Sequence, residues 1–418
     1  MKKLNFAIMF FFFLTGFAHA EKVTWSEVSR QTLATSPSVK SAKLKLDNAE
    51  LAYDRAVVSF LPDVSARGAY SRGETSGNNL SENFSLGLNA TLSIFSGFET
   101  YNDVRQKSAD LKAAKAAYNR AVSDAAYEVA SQYANLMWAY ETVELSKQIQ
   151  ERRTENKDMV KLKYNSGNVD IGSLKRVEAD VETANYDLRK AQRYIETASA
   201  ALLKAIGRND EVILETDERL DVQEETVKKP NFNELIKNIP EYIAADYSAQ
   251  SAKAASAKAK GSWFPNISLS GGVSRSGAEW LPDRKSWDAG VSVSYSLFTG
   301  GKRIIDINTA SNQSEISQQS FINAQNDLKS RSIGNFNSLL DSFENIAVRK
   351  HYLAASQQQA EISAKKYVNG LSTYQDWYSI ENDFINSQKS LLDAKKSAAL
   401  ERAKWNNFLG KDFESINR

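Results

Sequence analysis

Phe84-Ser85-Leu86-Gly87-Leu88-Asn89-Ala90-Thr91-Leu92-Ser93-Ile94-Phe95 is the stretch that decides how this chain folds. Every even position from Phe84 to Ile94 is apolar, and the odd positions through Ser93 are small or polar. Alternate residues of a strand face opposite sides, so the run has one apolar and one polar face. Such a pattern over roughly 10 to 12 residues matches a membrane-spanning β-strand. Further along, Trp287, Ala289, Val291, Val293, Tyr295 and Leu297 alternate with Asp288, Gly290, Ser292, Ser294 and Ser296. A weaker partner precedes each run, Val64 to Tyr70 and Ile267 to Val273. The segments between, Ser71 to Asn83 and Ser274 to Ser286, are polar and rich in turn formers, which predicts two hairpins with long loops.

Aromatic residues crowd the strand ends: Phe60, Phe84 and Phe95, then Trp263, Phe264, Trp287 and Phe298. They read as girdles at the membrane interfaces. The competing reading is a β-sandwich core. The small polar opposite face, and the presence of only four strands, count against it.

The two hairpins belong to two copies of one unit, offset by 203 residues. Pro37 answers Pro240, Lys163-Tyr164 and Gly167 answer Lys366-Tyr367 and Gly370, and Gly207 answers Gly410. A repeat this long is a duplicated architecture. The organisation predicted is a first copy over 21–207, a linker over 208–230, a second copy over 231–410 and a short tail over 411–418. The first copy holds an opening helix, a hairpin at about 62–96 and helices at about 99–165 and 171–206; the second holds a hairpin at about 265–298 and helices at about 302–367 and 373–409.

The helical reading rests on composition and period. Residues 101–164 contain neither Pro nor Gly. Val122, Ala126, Val129, Tyr133, Leu136, Tyr140 and Val143 follow alternating four- and three-residue spacing, a heptad seam. Phe336, Leu339, Phe343 and Ile346 keep part of it in the second copy. Gly167 suits a left-handed helix cap. Short helices are expected near Trp25 to Leu33 and Phe232 to Ile236, with a short strand at Val212 to Leu214 in the acidic linker.

Lys2 and Lys3, an apolar run from Leu4 to Phe17 and Ala18-His19-Ala20 predict a secretory signal peptide over 1–20. Without those two lysines the 53 basic residues fall level with the 51 acidic ones, and a neutral chain lacks the basic footprint of a nucleic-acid binder. There is no cysteine, hence no disulfide framework, thiolate metal site or thioether lipid anchor. No later stretch reaches the roughly 18 apolar residues of a spanning helix. The exported protein is therefore either soluble or inserted through strands.

Four membrane strands do not close a barrel, since about eight is the smallest bacterial number. An open sheet in lipid leaves edge N–H and C=O groups unpaired, at several kcal/mol each. Copies must pool their strands. Two would give eight and a filled interior; three would give twelve and an aqueous lumen, the number the reading leans towards.

At this point the chain resembles the TolC family of outer-membrane efflux and export channels. The resemblance covers essentially the whole expected mature chain. It rests on the duplication and on Leu61-Pro62-Asp63 and Phe264-Pro265-Asn266 before the strands. It rests also on Phe95-Ser96-Gly97 and Phe298-Thr299-Gly300-Gly301 before the long helices, the two Lys-Tyr-x-x-Gly turns, and the closing Ile206-Gly207 and Leu409-Gly410. It implies a mainly α protein with a membrane β portion: a homotrimer with a 12-stranded outer-membrane barrel continued by a long periplasmic α-helical barrel. It further implies a passive exit duct for an inner-membrane pump joined through a periplasmic adaptor, in a tripartite efflux or type I secretion system.

By the same resemblance the adaptor would meet the hairpin tips, at Lys163, Tyr164, Gly167 and Val169, and at Lys366, Tyr367, Gly370, Leu371 and Ser372. The competing reading is that these residues only make good turns. Asn168-Val169-Asp170 stands where the other tip has Leu371-Ser372-Thr373, so the two tips are not expected to dock alike. Asp376 matches a position where family members can carry a constricting acid, and three copies would form a carboxylate ring. Its counterpart is Ser173, and Ser379 lies nine beyond Gly370, so no second ring is expected.

Catalytic, cofactor and metal residues are not assigned. The one histidine after the signal segment, His351, sits among Arg349, Lys350 and Tyr352 on a long helix and reads as a solvated side chain. Gly300-Gly301-Lys302 lacks the spacing of a phosphate loop. The alternative from another class is a soluble periplasmic coiled-coil scaffold; a secreted glycosidase is a distant third.

Overall fold

A computed structural model describes residues 21–75, 79–222 and 228–416. The expected signal peptide lies outside them. In chain order the elements are β1 (Glu21–Lys22), α1 (Trp25–Thr35), α2 (Pro37–Val58), β2 (Asp63–Thr75), β3 (Asn79–Ser96), α3 (Glu99–Asn165) and α4 (Ile171–Ile206). Then come β4 (Leu214–Glu215), α5 (Phe232–Leu235), α6 (Pro240–Lys260), β5 (Asn266–Gly277), β6 (Arg284–Ser294), α7 (Lys302–Val368), α8 (Tyr374–Phe408) and α9 (Phe413–Ile416). The duplication is written into these bounds: α6, β5, α7 and α8 each begin 203 residues after α2, β2, α3 and α4.

The chain forms two compact units that cut across the copies. One comprises Ser38–Ala121 and Pro230–Ile333 and holds a four-stranded antiparallel sheet in the order β2-β3-β5-β6. Its strands run further than the sequence pattern suggests. β2 and β3 pair in unbroken register from Asp63↔Thr91 to Thr75↔Asn79, and β5 and β6 pair out to Ser276↔Arg284. The expected long loops at Ser71 to Asn83 and Ser274 to Ser286 are therefore largely strand. An antiparallel ladder needs only backbone N–H and C=O groups, and polar side chains do not stop it. At the other end β6 stops at Ser294, short of Tyr295 and Leu297.

A register shift between Ser93 and Phe95 makes a bulge at Ile94. The extra residue changes the parity, so Phe95 pairs with Ile267 and joins the apolar face. Two aromatic groups bracket that face. Tyr70, Phe84 and Trp280 form one, with ring centroids 4.7 and 5.8 Å apart. Phe95, Phe98 and Phe264 form the other, with edge-to-face contacts at 5.2, 5.7 and 6.3 Å. From Phe84 to Phe95 at about 3.3 Å per residue is roughly 36 Å along the strand, or about 28 Å upright at a tilt near 40°. That is close to the apolar band of a membrane barrel, about 25 Å.

The other unit comprises the described residues within Met1–Pro37, Val122–Lys229 and Gly334–Arg418. Its core is the heptad seam. Val122, Ala126, Val129, Tyr133 and Leu136 are buried, as are Phe336, Leu339, Phe343 and Ile346. The expected linker strand lies at Leu214–Glu215, slightly later than the apolar run, where it pairs in parallel with β1. Arg208 fastens this corner, donating from Nη1 and Nη2 to the two carboxylate oxygens of Glu21 at 2.8 and 2.7 Å. Among the described residues no helix is long and apolar enough to cross a membrane.

Candidate functional site at the helical tips

Each long helix ends in a glycine turn that reverses the chain into a shorter one. After α3, the Gly167 N–H donates to the Tyr164 carbonyl and the Asn168 N–H to the Lys163 carbonyl, both at 2.9 Å. After α7, Gly370 donates to Tyr367 at 3.1 Å and Leu371 to Lys366 at 2.8 Å. These are the paired bonds of a Schellman cap. They place Gly167 and Gly370 at φ 74° and 75°, where a side chain would be strained.

The return helices are capped with the partners exchanged. Asp170 accepts the Ser173 N–H at 3.0 Å and the Ser173 hydroxyl at 2.8 Å. In the second tip the Thr373 hydroxyl accepts the Asp376 N–H at 3.1 Å and donates to the Asp376 carboxylate at 2.7 Å. Hydroxyl and carboxylate have swapped places, so Ser173 and Asp376 are equivalent cap partners. The Ser173 hydroxyl, helped by backbone N–H groups, holds the Asp170 carboxyl below its ordinary range. Asp376 is exposed and makes no ion pair among the described residues.

Tyr164 and Tyr367 part company. Tyr164 is exposed, whereas Tyr367 is only 3% exposed and stacks on Trp377 with centroids 4.8 Å and planes 8° apart. The Tyr367 ring, named above as an adaptor-contact candidate, is packed into the core of the tip. Lys163 also turns inward, donating to the Val368 carbonyl at 3.2 Å with its Nζ 4.8 Å over the Tyr367 ring. Of the remaining candidates, Gly167, Lys366, Gly370 and Leu371 are exposed, while Val169 and Ser372 are half-buried. Val169 packs against the cluster of Val160, Leu174, Val177, Tyr367 and Trp377. Burial pushes the hydroxyls of Tyr367 and Tyr374 above their ordinary range.

Several residues that hold the tip were missed by the sequence reading. Trp377 is 1% exposed and occupies the repeat position of Leu174. Glu381, also 1% exposed, accepts Arg152 Nε, Arg152 Nη2 at 2.8 Å and Asn156 Nδ2 at 2.9 Å. Arg176 Nε donates to the Tyr378 hydroxyl at 2.9 Å. The repeat misdirects at Glu381, because its counterpart Glu178 keeps 41% of its side chain exposed and pairs with Lys175. A Trp one turn inside the capped helix was the available signal for the first. Among the described residues the tip is an aromatic core beneath an exposed rim.

The two copies are matched separately by one family, described as Outer membrane efflux protein, over residues 28–208 and 232–411. The chain belongs to the outer membrane efflux protein family. Among its relatives is the cation efflux system protein CusC of Escherichia coli K12, 21% identical over 378 residues, covering 87% of this chain and 81% of that protein. The probable outer membrane lipoprotein SilC of Salmonella typhimurium is 20% identical over 384 residues, covering 88% and 82%. In structure, the open state of the Neisseria gonorrhoeae MtrE outer membrane channel aligns with a TM-score of 0.83 at 21% identity, covering 93% of this chain and 89% of that one. As an outer membrane efflux protein the chain resides in the outer membrane, with its helices as a periplasmic extension. The soluble scaffold alternative falls with that.

Proposed function

We propose that the chain is the passive exit duct of a tripartite efflux or type I secretion system, acting as a homotrimer whose twelve strands close one barrel. The observation that carries the reading is the open sheet: β2 and β6 are edge strands, and Val64, Leu88, Val291 and Val293 of the apolar face are each more than half exposed in a single chain. Edges of that kind are satisfied in lipid only by a further strand. The likeness to MtrE supports it. The exposed rim of Tyr164, Gly167, Lys366, Gly370 and Leu371 then meets a periplasmic adaptor, with Lys163, Val169, Tyr367 and Ser372 stiffening it from behind. Selection of cargo and supply of energy fall to the pump.

The test is mass measurement in mild detergent together with photo-crosslinkers at Tyr164 and Tyr367. Three chains per particle and adaptor adducts at Tyr164 but not at Tyr367 are expected. A detergent-independent monomer refutes the duct. On the same reading the three Asp376 carboxylates ring the tip; a cation-dependent bilayer conductance unchanged in Asp376→Asn removes that role.

A further inference from the structure

The duplicated hairpin contains its own control for an unexplained charge. Arg72 on β2 stands directly opposite Glu82 on β3, and the two form an ion pair at 3.6 Å. The equivalent positions in the second hairpin, 203 residues on, are Arg275 on β5 and Lys285 on β6, again directly opposite each other. Where the first copy has a cation and its acid, the second has two cations. Like charges at directly opposed positions destabilise a sheet. Among the described residues neither makes an ion pair, and Asp283, the acid just beyond Lys285, bridges to neither.

Directly opposed residues share a face, so the register says which face carries them. Arg275 and Lys285 stand in one row with Gly68 and Leu86. The next row is Ala66, Leu88, Val273 and Trp287, in which Val273 is 57% and Trp287 78% exposed. This is the apolar face; the opposite one carries Arg67, Ser274 and Ser286. The cation row lies one step inside the Tyr70–Phe84–Trp280 aromatic group, at the hairpin end of the sheet. A hollow of about 730 Å³ opens there, lined among others by Gly68, Leu86, Val273, Trp287, Arg275 and Lys285.

We infer that Arg275 and Lys285 form a binding site for an anionic, phosphate-bearing lipid headgroup in the outer leaflet. The hollow beside Gly68, between Leu86 and Trp287, receives the first part of an acyl chain. The phosphate supplies to these two cations the charge complement that Glu82 supplies to Arg72 in the first hairpin. Their position suits it: the cost of a lipid-facing cation falls steeply from the bilayer midplane to the interface, and both side chains are long enough to reach headgroups. The inference rests on the proposed reading that the apolar face meets lipid.

The experiment is native mass spectrometry of the detergent-solubilised oligomer with phosphatidylglycerol against phosphatidylcholine of the same acyl chains. About fivefold per basic residue near an anionic surface gives an expected preference of roughly 25-fold for the anionic lipid, saturating at one per chain. Lys285→Glu rebuilds the pairing of the first hairpin and should abolish the preference with the oligomer intact. Arg284→Gln removes a cation from the other face, opposite Ser276 and outside the lining of the hollow, and should leave the preference unchanged. Retention in Lys285→Glu, equal loss in Arg284→Gln, or displacement of the lipid by excess inorganic phosphate overturns the site. So does absence of preference in an intact, detergent-requiring wild-type oligomer. A wild type that needs no detergent overturns the membrane reading itself, a separate result.

Discussion

Breaking the Arg152–Glu381 pair should loosen the tip in an order that its burial dictates. Glu381 is 1% exposed and accepts hydrogen bonds from both Arg152 and Asn156, whereas Arg152 keeps 33% of its side chain in water. Arg152→Ala therefore strands a carboxylate with no route to solvent, at about 3–5 kcal/mol. Glu381→Ala leaves a guanidinium that can turn outward from its place 4.7 Å over the Phe384 ring. It forfeits charge-assisted bonds worth about 1.5–3 kcal/mol. Replacing both, as Arg152→Met with Glu381→Leu, removes the desolvation cost together with the attraction, and such exchanges are often neutral or stabilising.

The expected order of stability is thus double variant above Glu381→Ala, and Glu381→Ala above Arg152→Ala. Global unfolding of a chain with two compact units is not a two-state measurement, so the assay is amide hydrogen exchange in α3 around Arg152 and in α8 around Glu381. Faster opening in Glu381→Ala than in Arg152→Ala refutes the burial argument. A double variant as loose as the worse single one refutes the claim that desolvation sets the cost.

Gly97 and Gly300, equivalent by repeat, should respond differently to alanine. Both have left-handed φ, 62° and 61°, which costs about 1–3 kcal/mol with a side chain. A Cβ on Gly97 would lie 2.2 Å from the Gly261 carbonyl oxygen, while one on Gly300 meets open space. Gly97→Ala should lower the thermal stability of the oligomer clearly more than Gly300→Ala; equal shifts would show that the close approach is immaterial. At the first tip, the depressed Asp170 pKa makes its cap a pH-dependent contribution. It is present above the ordinary value of 3.8 and lost as pH falls through the lower folded one. A nitroxide on Asn168→Cys should gain mobility in that acid range, and lose this response in Asp170→Asn.

Much of the fold was legible because two periods coexist in the chain. Period two from Phe84 to Ile94 marked the sheet, and the heptad from Val122 to Leu136 marked a seam that is buried throughout. Strand ends were not legible. Ser71, Arg72 and Gly73 read as turn formers, yet the backbone ladder runs past them, since pairing is a property of two strands and pattern a property of one. The Ile94 bulge was hidden for the same reason. At the tips, Gly167 and its repeat Gly370 announced the turns. The inward rotation of Tyr367 did not announce itself, because Lys-Tyr-x-x-Gly is written identically at Lys163-Tyr164 and Lys366-Tyr367.

What decides Tyr367 lies one helix away. Trp377 supplies a flat face for its ring to stack on, and the equivalent residue in the first copy, Leu174, does not. Tyr164 thus has no aromatic counterpart and stays at the surface, while Lys163 is drawn across to Tyr367 and the Val368 carbonyl. One substitution in the pattern, leucine against tryptophan, leaves the tyrosine of one tip exposed and stacks that of the other in an aromatic core. On the proposed trimer this gives alternating hairpins of two kinds around the ring, not six equal ones. A partner that grips the Tyr164 tips would then act against the aromatic cores of the Tyr367 tips, so the Tyr367–Trp377 stack is where resistance to opening should concentrate.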